Sequence, residues 1–260
     1  MKQGWNGKIA AITGASSGIG ATVAKRIADK GGTPLLLARS RDKLAELADR
    51  LGGRAEAIEL DVASTESVNE TFSRILQRYG RIDVLINNAG FGMFERFEDM
   101  DVDSFEKMMN VNYMGIVRCT KAALPSMLEA GSGHIVNIAS LAGKIATAKS
   151  SGYAATKHAV LGLTNSLRQE LFGTGIAVTA INPGPVDTPF FEVADPSGSY
   201  VANVRKMMLT PERVAEAIVR AVETRRAEVD LPAIAGFGAK LFYLFPRTFE
   251  RISRKFFDLK

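Results

Sequence analysis

The chain has 260 residues, of which 46% are hydrophobic and 23% are charged, as in an ordinary globular protein. This length predicts one domain, with two small domains as the alternative. The sequence has no apolar run of the roughly 18 residues that a membrane-spanning helix needs, and its first residues lack the pattern of a secretory signal. The single cysteine, Cys119, excludes an intramolecular disulfide and favours a cytoplasmic protein in which this thiol is buried.

The net charge of +5 is unevenly distributed along the chain. Residues 205–260 contain twelve Lys and Arg against seven Asp and Glu, which accounts for the whole excess and leaves residues 1–204 neutral overall. A nucleic-acid-binding domain would carry a basic stripe across its fold, so we expect no nucleic-acid partner. The excess draws attention to the C-terminal segment instead.

Short runs rich in strand-forming residues alternate with longer amphipathic runs. The predicted strands are residues 8–13, 33–38, 54–60, 83–87, 134–139, 176–181 and 228–232. Helices are predicted between them, for example in 64–80, where Ser64 is a suitable N-cap. Strands that are apolar on both faces and separated by helices predict an α/β fold with a parallel sheet covered on both sides. No repeat or low-complexity linker marks a domain boundary.

A glycine-rich loop follows the first predicted strand. In "TGASSGIG" (13–20), Gly14, Gly18 and Gly20 would let the backbone turn tightly and approach a pyrophosphate at the N-terminus of the next helix. The spacing differs from that of the commonest dinucleotide motif, and a turn without a ligand is the alternative.

The same loop also matches the G-x-S-x-G elbow of α/β-hydrolases. Such an enzyme needs a histidine base, and the chain has two histidines. His134 opens a predicted strand and His158 directly follows Lys157, so neither is suitably placed. We therefore expect no hydrolase activity.

The end of the second predicted strand indicates a cofactor preference. The run Ala38-Arg39-Ser40-Arg41 has no carboxylate before Asp42, whereas an NAD site usually places an acidic residue near this point to bind the adenosine ribose. A guanidinium can bind a 2′-phosphate through paired hydrogen bonds, and a carboxylate would repel it. Arg39 therefore favours NADP(H), the alternative being two solvated arginines at the start of a helix.

Tyr153 and Lys157 lie four residues apart in "SGYAATKHAV" (151–160), which puts them on one face of a helix. On its own, such a pair is usually a surface lysine beside a half-buried tyrosine. In a catalytic site, an ammonium about 4–5 Å away would lower the pKa of the phenol from about 10 towards 7. The pair then becomes a practical acid–base group.

Taken together, these segments resemble the short-chain dehydrogenase/reductases. The resemblance covers residues 6–232 and rests on "TGASSGIG", "NNAG" (87–90), "MNVNYMG" (109–115), Ser140, the Tyr153–Lys157 pair and "NPGPVDTP" (182–189). It implies a single Rossmann-like domain over residues 1–260, with a doubly wound parallel seven-stranded sheet in the order 3-2-1-4-5-6-7. It also implies a homodimer or homotetramer. No metal site is predicted.

The resemblance implies a cofactor site that follows the carboxyl ends of several strands. The residues expected to contact NADP(H) are Gly14, Ser16, Ser17, Gly18, Ile19, Gly20, Arg39, Ser40, Asp61, Val62, Asn87, Ala89, Gly90, Tyr153, Lys157, Pro183, Gly184, Val186 and Thr188. Strand-end capping is the alternative role for Asp61 and Asn87.

The catalytic residues that the resemblance implies are Asn112, Ser140, Tyr153 and Lys157. Tyr153 would give a proton to the carbonyl oxygen and Ser140 would hydrogen-bond that oxygen. Lys157 would hold the nicotinamide ribose and stabilise tyrosinate, and Asn112 would hold a water that connects Lys157 with solvent. The alternatives are a strand-end cap for Ser140 and a buried structural amide for Asn112.

Residues 190–209 occupy the position of the family's variable substrate lid. Apolar side chains that could wall a substrate pocket are Phe91, Met93, Phe94, Phe190, Phe191, Val193, Met207 and Met208. They favour a hydrophobic ketone or aldehyde as substrate, with core packing as the alternative.

Residues 233–260 form a basic, aromatic extension. Positions 249, 252, 256 and 259 are apolar and fall on one helical face, away from Arg251, Arg254 and Lys255. Such a helix can lie on an anionic membrane surface, so peripheral membrane contact is one expectation. Packing on its own subunit or across a dimer is the alternative.

The resulting expectation is an NADP(H)-dependent carbonyl reductase or alcohol dehydrogenase, in the cytoplasm or at a membrane surface. A 3-oxoacyl thioester reductase is an alternative enzyme, whose acidic acyl-carrier partner could be drawn to the basic extension. A redox sensor that binds NADP(H) without turnover is the alternative from another class of protein. A sensor, however, has no physical need for Tyr153.

Overall fold

A parallel seven-stranded sheet runs through the computed structural model, which describes residues 4–244 apart from the side chains of Lys240 and Tyr243. The strands are β1 (Ile9–Thr13), β2 (Thr33–Ala38), β3 (Glu56–Glu59), β4 (Val84–Asn87), β5 (Gly133–Ile138), β6 (Ile176–Pro183) and β7 (Glu228–Leu231). Their order in the sheet is β3-β2-β1-β4-β5-β6-β7, and every neighbouring pair is parallel. The predicted fold class and strand order are confirmed.

Helices connect the strands and cover both faces of the sheet. They are α1 (Gly18–Asp29), α2 (Arg41–Arg50), α3 (Thr65–Tyr79), α4 (Val102–Met109), α5 (Gly115–Glu129), α6 (Ser151–Glu170), α7 (Phe190–Ala194), α8 (Ser199–Val204), α9 (Pro211–Thr224) and α10 (Ala233–Leu244). One turn of π-helix, Asn110–Met114, joins α4 to α5, and short 3₁₀ turns lie at Leu141–Gly143 and Arg205–Met207.

The strands lack apolar alternation because each face of the sheet has its own helical layer. Ala10 and Ile12 of β1 pack with buried residues of α1, α2 and α9. Ile9 and Ala11 pack with α3, α5 and the end of α6. Cys119 is fully buried in this second layer, as predicted, and burial raises the pKa of its thiol to about 12. The thiol therefore behaves as a small apolar group.

Local capping fixes where several helices begin. Ser64 Oγ accepts a hydrogen bond from the backbone N–H of Ser67 at 3.1 Å, as predicted for the start of α3. Asp101 and Thr210 cap α4 and α9 in the same way. Gly80 ends α3 with a φ of 72°, in the left-handed region that glycine tolerates best.

The sheet places the functional segments because the carboxyl ends of parallel strands lie along one edge. The loop 14–17 follows β1, residues 88–91 follow β4, Ser140 follows β5 and residues 184–188 follow β6. This edge is where ligands bind in open α/β sheets. The predicted segments are therefore brought together by the topology.

After β7 the chain forms α10. At the start of this helix, the Ala235 N–H donates a hydrogen bond to the Pro232 carbonyl at 3.0 Å. None of the helices within residues 4–244 is long and apolar enough to cross a lipid bilayer. The amphipathic face predicted at positions 249, 252, 256 and 259 lies outside the described residues.

Candidate active site

A cavity of about 960 Å³ follows the carboxyl ends of the strands. The glycine-rich loop and the ends of β2 and β4 line it, as do Ser140, Tyr153 and Lys157. Residues of α7, α8 and α10 complete the lining. This volume is at the upper end of the range for small-molecule sites. The cavity is therefore large enough for a sizeable ligand.

The glycine-rich loop is tied to the end of β4 by hydrogen bonds of two polar side chains, Thr13 and Asn88. Thr13 Oγ1 accepts hydrogen bonds from the backbone N–H groups of Asn88 and Ala89 at 2.9 and 3.0 Å. Asn88 Nδ2 donates to the carbonyls of Thr13 and Gly14 at 3.0 and 3.1 Å. A Cβ atom on Gly14 would lie 2.8 Å from the Ala89 Cα, so only glycine allows this approach. The loop is thus held open by the end of β4.

The first turn of α1 faces this part of the cavity. Ser17 precedes the helix in an extended conformation, its side chain does not cap the helix, and Ser16, Ser17 and Ile19 line the cavity. The first N–H groups of a helix have no partner within the helix and carry the positive end of its dipole. These residues fit the phosphates of a dinucleotide.

Arg39 and Ser40 line the cavity where β2 ends, and Arg39 is exposed there. Asp61 and Val62 line the same end from the segment after β3. The Asp61 carboxylate accepts a hydrogen bond from the Ala63 N–H at 2.9 Å, which turns it back on its own loop. A guanidinium is therefore available to a ligand at this end.

Ser140 and Tyr153 face each other in the middle of the cavity. Ser140 Oγ donates to the Pro183 carbonyl at 3.3 Å and accepts from the Ala142 N–H at 3.0 Å. Burial in the cavity wall raises the pKa of Tyr153 to about 12, although a hydrogen bond with Ser140 acts in the lowering direction. Tyr153 is therefore a neutral phenol at pH 7.

The prediction that Lys157 lowers the pKa of Tyr153 is wrong for this structure, in which the pKa of Tyr153 is raised. Lys157 Nζ lies 5.6 Å from the centre of the Tyr153 ring and donates to the Ile138 carbonyl at 2.7 Å. Lys157 is almost completely buried, and burial lowers the pKa of its ammonium to about 8. Desolvation is the largest cause of both shifts, because burial disfavours the charged phenolate and the charged ammonium alike.

Asn112 has a structural position within the π-helical turn and does not line the cavity. Its Oδ1 accepts from the Phe91 N–H at 2.9 Å, and its Nδ2 donates to the Phe91 carbonyl at 2.8 Å and to Thr156 Oγ1 at 3.1 Å. Thr156 Oγ1 in turn donates to the Tyr153 carbonyl at 2.8 Å. These contacts favour the buried structural amide over the predicted water-holding side chain.

Aromatic side chains lie close to Tyr153 in the cavity lining. The rings of Phe94 and Phe190 have their centres 6.0 and 5.5 Å from that of Tyr153. Phe191 and Tyr200 extend the cluster, with centres 6.2 and 5.0 Å from that of Phe94. All five rings line the cavity. The wall next to the phenol is therefore largely apolar.

The family to which the chain belongs is shown by its sequence. Residues 8–197 match the profile of the short chain dehydrogenases. The chain belongs to the short-chain dehydrogenase family.

Similar proteins are known both as sequences and as structures. An uncharacterized oxidoreductase of Staphylococcus saprophyticus is 40% identical over 220 residues, which are 83% of this chain and 91% of the relative. The closed form of a serine dehydrogenase complexed with NADP+ has a TM-score of 0.80 at 34% identity and covers 85% of this chain and 93% of its own. The 3-ketoacyl-(acyl-carrier-protein) reductase of Brucella melitensis, complexed with NADH, has a TM-score of 0.80 at 28% identity, with 86% and 96% covered.

Most residues predicted for the cofactor site of this short-chain dehydrogenase line the cavity. They are Gly14, Ser16, Ser17, Gly18, Ile19, Arg39, Ser40, Asp61, Val62, Ala89, Gly90, Tyr153, Lys157, Pro183, Gly184, Val186 and Thr188. The predicted catalytic Ser140 lines it as well.

Two predicted cofactor residues do not line the cavity. Gly20 packs inside the loop, since a Cβ atom there would lie 2.5 Å from the Gly14 carbonyl oxygen. Asn87 is buried beneath the sheet edge, where its Nδ2 donates to Asn137 Oδ1 at 2.9 Å and to Thr120 Oγ1 at 3.2 Å. Neither residue is part of the cavity lining, and the predicted contact of each with a cofactor stays a prediction.

Sequence reasoning also misplaced part of the substrate wall and missed another part. Met93, Met207 and Met208 do not line this cavity, whereas the other five predicted apolar residues do. Asn88 lines the cavity as part of the predicted "NNAG" segment. Lining residues that sequence reasoning missed include Lys107, Asn110, Val111, Leu141, Ala142, Ile145, Thr147, Tyr200, Ala235, Gly238 and Ala239. Their places depend on the paths of the segment after Ser140, of α4, of the lid and of α10 over the sheet.

Proposed function

We propose that the protein is an NADP(H)-dependent oxidoreductase that interconverts a hydrophobic ketone or aldehyde and its alcohol, with Tyr153 as the acid–base group. The observation that carries the proposal is the convergence of Ser140, Tyr153 and Lys157 in one cavity. The same cavity is lined by a glycine-rich loop at a helix N-terminus and by a wall of aromatic rings.

Arg39 supports NADP(H) over NAD(H) as the cofactor. It is exposed at the cavity end next to the adenosine side of the loop, and residues 37–40 of the lining contain no carboxylate. A guanidinium there can bind a 2′-phosphate through two hydrogen bonds. The similar serine dehydrogenase was solved with NADP+, while the similar Brucella reductase was solved with NADH, so Arg39 is the stronger argument.

In the proposed reduction, the nicotinamide cofactor supplies the hydride when bound. Tyr153 gives its proton to the carbonyl oxygen, and it is protonated at neutral pH because burial raises its pKa to about 12. Ser140 lies within hydrogen-bond reach of the same position and stabilises the oxygen as it gains negative charge. The two hydroxyl groups orient the substrate carbonyl between them.

Lys157 supports the tyrosinate that remains after this proton transfer. Its ammonium lies on the same helical face, one turn along α6, and its pKa of about 8 keeps it mostly charged at pH 7. A negative phenolate at this distance favours the ammonium, so the attraction grows at the step where it is needed. Lys157 thus stabilises the product of the proton transfer more than the resting phenol.

The aromatic wall supports a substrate with a substantial apolar group. Gly92 lies against it, since a Cβ atom there would come within 2.8 Å of Phe190 and 3.0 Å of Tyr153. Phe94, Phe190 and Phe191 contribute only uncharged rings to this part of the lining. A small polar carbonyl compound would gain little by burial in this wall, whereas an apolar one would be held next to Tyr153.

The test is the oxidation of NADPH, followed by absorbance, with a panel of carbonyl compounds that includes aryl ketones, long-chain aldehydes and 3-oxoacyl thioesters. We expect turnover with apolar ketones or aldehydes and at least a hundredfold loss in Tyr153→Phe. NADPH affinity, measured by fluorescence, should stay within a few-fold of wild type in that variant. Binding of NADPH without turnover of any compound would favour the redox sensor instead, and turnover of thioesters alone would favour the acyl-carrier enzyme.

A further inference from the structure

Helix α10 has two faces with different surroundings. Ala235, Gly238 and Ala239 line the cavity. A second face carries four apolar side chains in a row along the helix. These are Ile234, Phe237, Leu241 and Leu244, which are 79%, 63%, 39% and 69% exposed.

This exposed face belongs to a helix that is fixed on the domain. Gly236 lies against Asp230 at the end of β7, so closely that a Cβ atom on Gly236 would come within 2.0 Å of Asp230 Oδ2. Ala239 is buried against the body of the protein. The apolar row is therefore presented in a defined orientation, and such rows on a helix surface mark a contact with another apolar phase.

The charge of the sequence around and after α10 indicates what the apolar row contacts. Residues 233–244 contain one lysine and no acidic residue, and residues 245–260 contain five Lys and Arg against two Asp and Glu. An apolar helical face next to a cluster of basic residues is the composition that binds at the surface of anionic membranes. We infer that the row Ile234–Phe237–Leu241–Leu244 docks on the surface of an anionic lipid bilayer.

A second copy of the chain fits the same face less well. A two-fold interface would set the α10 row against itself, and the chain continues directly from Leu244 into a sequence with five Lys and Arg against two Asp and Glu. Like charges across an interface oppose association. An anionic lipid surface has the opposite charge to this sequence and accepts the apolar side chains of α10.

The first experiment is co-sedimentation of the full chain with vesicles at low salt. We expect binding to phosphatidylcholine vesicles containing about 30% phosphatidylglycerol and at least tenfold weaker binding to phosphatidylcholine alone. The double variant Phe237→Ser, Leu241→Ser should lose at least tenfold in binding to the anionic vesicles. The matched control is Val102→Ser, Phe172→Ser, which removes two exposed apolar side chains elsewhere and should bind within twofold of wild type.

A fluorescent probe locates the contact on the molecule. The single cysteine, Cys119, is fully buried, so Ile234→Cys and Phe172→Cys can each be labelled with an environment-sensitive dye. We expect a blue shift on addition of anionic vesicles only for the probe at position 234. Neither experiment involves catalysis, so their outcome is independent of the proposed enzymatic function.

The proposal is overturned if wild type does not sediment with anionic vesicles, or if the Phe237→Ser, Leu241→Ser variant binds as well as wild type. It is also overturned if the probe at position 234 is already blue-shifted without vesicles, because the face is then covered by protein. Analytical ultracentrifugation supplies the last outcome: a dimer that this variant converts to a monomer would assign the face to a second copy.

Discussion

Lys144 Nζ lies 2.6 Å from Asp230 Oδ1 and 2.7 Å from Glu228 Oε1, so that one ammonium joins the turn after Ser140 to strand β7. Asn182 Nδ2 donates to Glu228 Oε1 at 2.7 Å and to Asp230 Oδ1 at 2.8 Å. The carboxylates raise the pKa of Lys144 against the opposing effect of its burial. A raised lysine pKa means that this stabilisation is complete at neutral pH and is lost only as the pH rises through the folded-state value.

Replacement of Lys144 by methionine should lower the free energy of unfolding by about 2 kcal/mol, because two neighbouring carboxylates then lose their cation. The loss is smaller than for a fully buried pair, since Glu228 is 40% exposed. The control is Lys30→Met, which breaks a more exposed pair with Glu223 and should cost less than 1 kcal/mol. Urea unfolding at pH 7 measures both, and equal losses would show that the Lys144 cluster contributes no more than an ordinary surface pair.

Replacement of Arg39 by aspartate should raise the dissociation constant for NADPH by roughly 10- to 100-fold, because a carboxylate replaces the group proposed to hold the 2′-phosphate. The constant for NADH should change less than about threefold, since NADH lacks that phosphate. Arg41→Asp makes the same charge change two residues away, at a side chain that does not line the cavity, and should leave both constants nearly unchanged. Fluorescence titration gives all the values; parallel losses in the two variants would attribute the effect to general charge.

Replacement of Gly20 by alanine should destabilise the protein by about 1–3 kcal/mol, because the added Cβ atom would lie 2.5 Å from the Gly14 carbonyl oxygen and 2.7 Å from Asn88 Nδ2. Gly162→Ala is the matched control, since nothing lies within 4 Å of a Cβ atom at that helical position. It should stabilise the protein by roughly 0.5–1 kcal/mol by reducing the freedom of the unfolded chain. If urea unfolding gave the same sign for both, the close packing of Gly20 would be of no consequence.

His134 should make the protein sensitive to mild acid. Its Nε2 lies 2.7 Å from Thr179 Oγ1, its Nδ1 has no partner among the described residues, and burial lowers its pKa to about 3. The unfolded chain binds a proton near pH 6.5 and the folded chain does not, so stability falls as the pH drops below that value. From pH 7 to pH 5 the loss from this group is about 2 kcal/mol.

His134→Gln keeps a hydrogen-bond donor but does not titrate, so its stability should change less over the same range. The difference between the two proteins at pH 7 and pH 5, measured by urea unfolding, isolates the histidine from the carboxylates. Identical pH dependence would mean that His134 is protonated in the folded protein without penalty.

The sequence predicted the α/β class from local and repeated signals, and the strand order from the family resemblance. Seven apolar runs separated by helices predicted the sheet, and motifs at the strand ends predicted most of the cavity lining. Asn87 and Asn88 are adjacent and chemically identical, so only the path of the chain after β4 shows that Asn88 reaches the cavity and Asn87 does not. The pKa of Tyr153 depends on how completely the surrounding residues exclude water. The spacing of Tyr153 and Lys157 in the sequence gives no information about that burial.

The hydrogen bonds that join Asn87, Asn137 and Thr164, here called the amide ladder, determine how strands β4 and β5 pair when the chain folds. Asn87 and Asn137 are opposite each other in β4 and β5, and Asn137 Nδ2 continues the ladder to Thr164 Oγ1 at 2.9 Å. Two apolar strands could pair in another register with little change in buried area. Here, a shift of one residue would leave both amides without hydrogen-bond partners among hydrocarbon side chains. The ladder therefore admits one alignment of the two central strands, and that alignment sets how far Asn88 and Gly90 emerge beside the phenol.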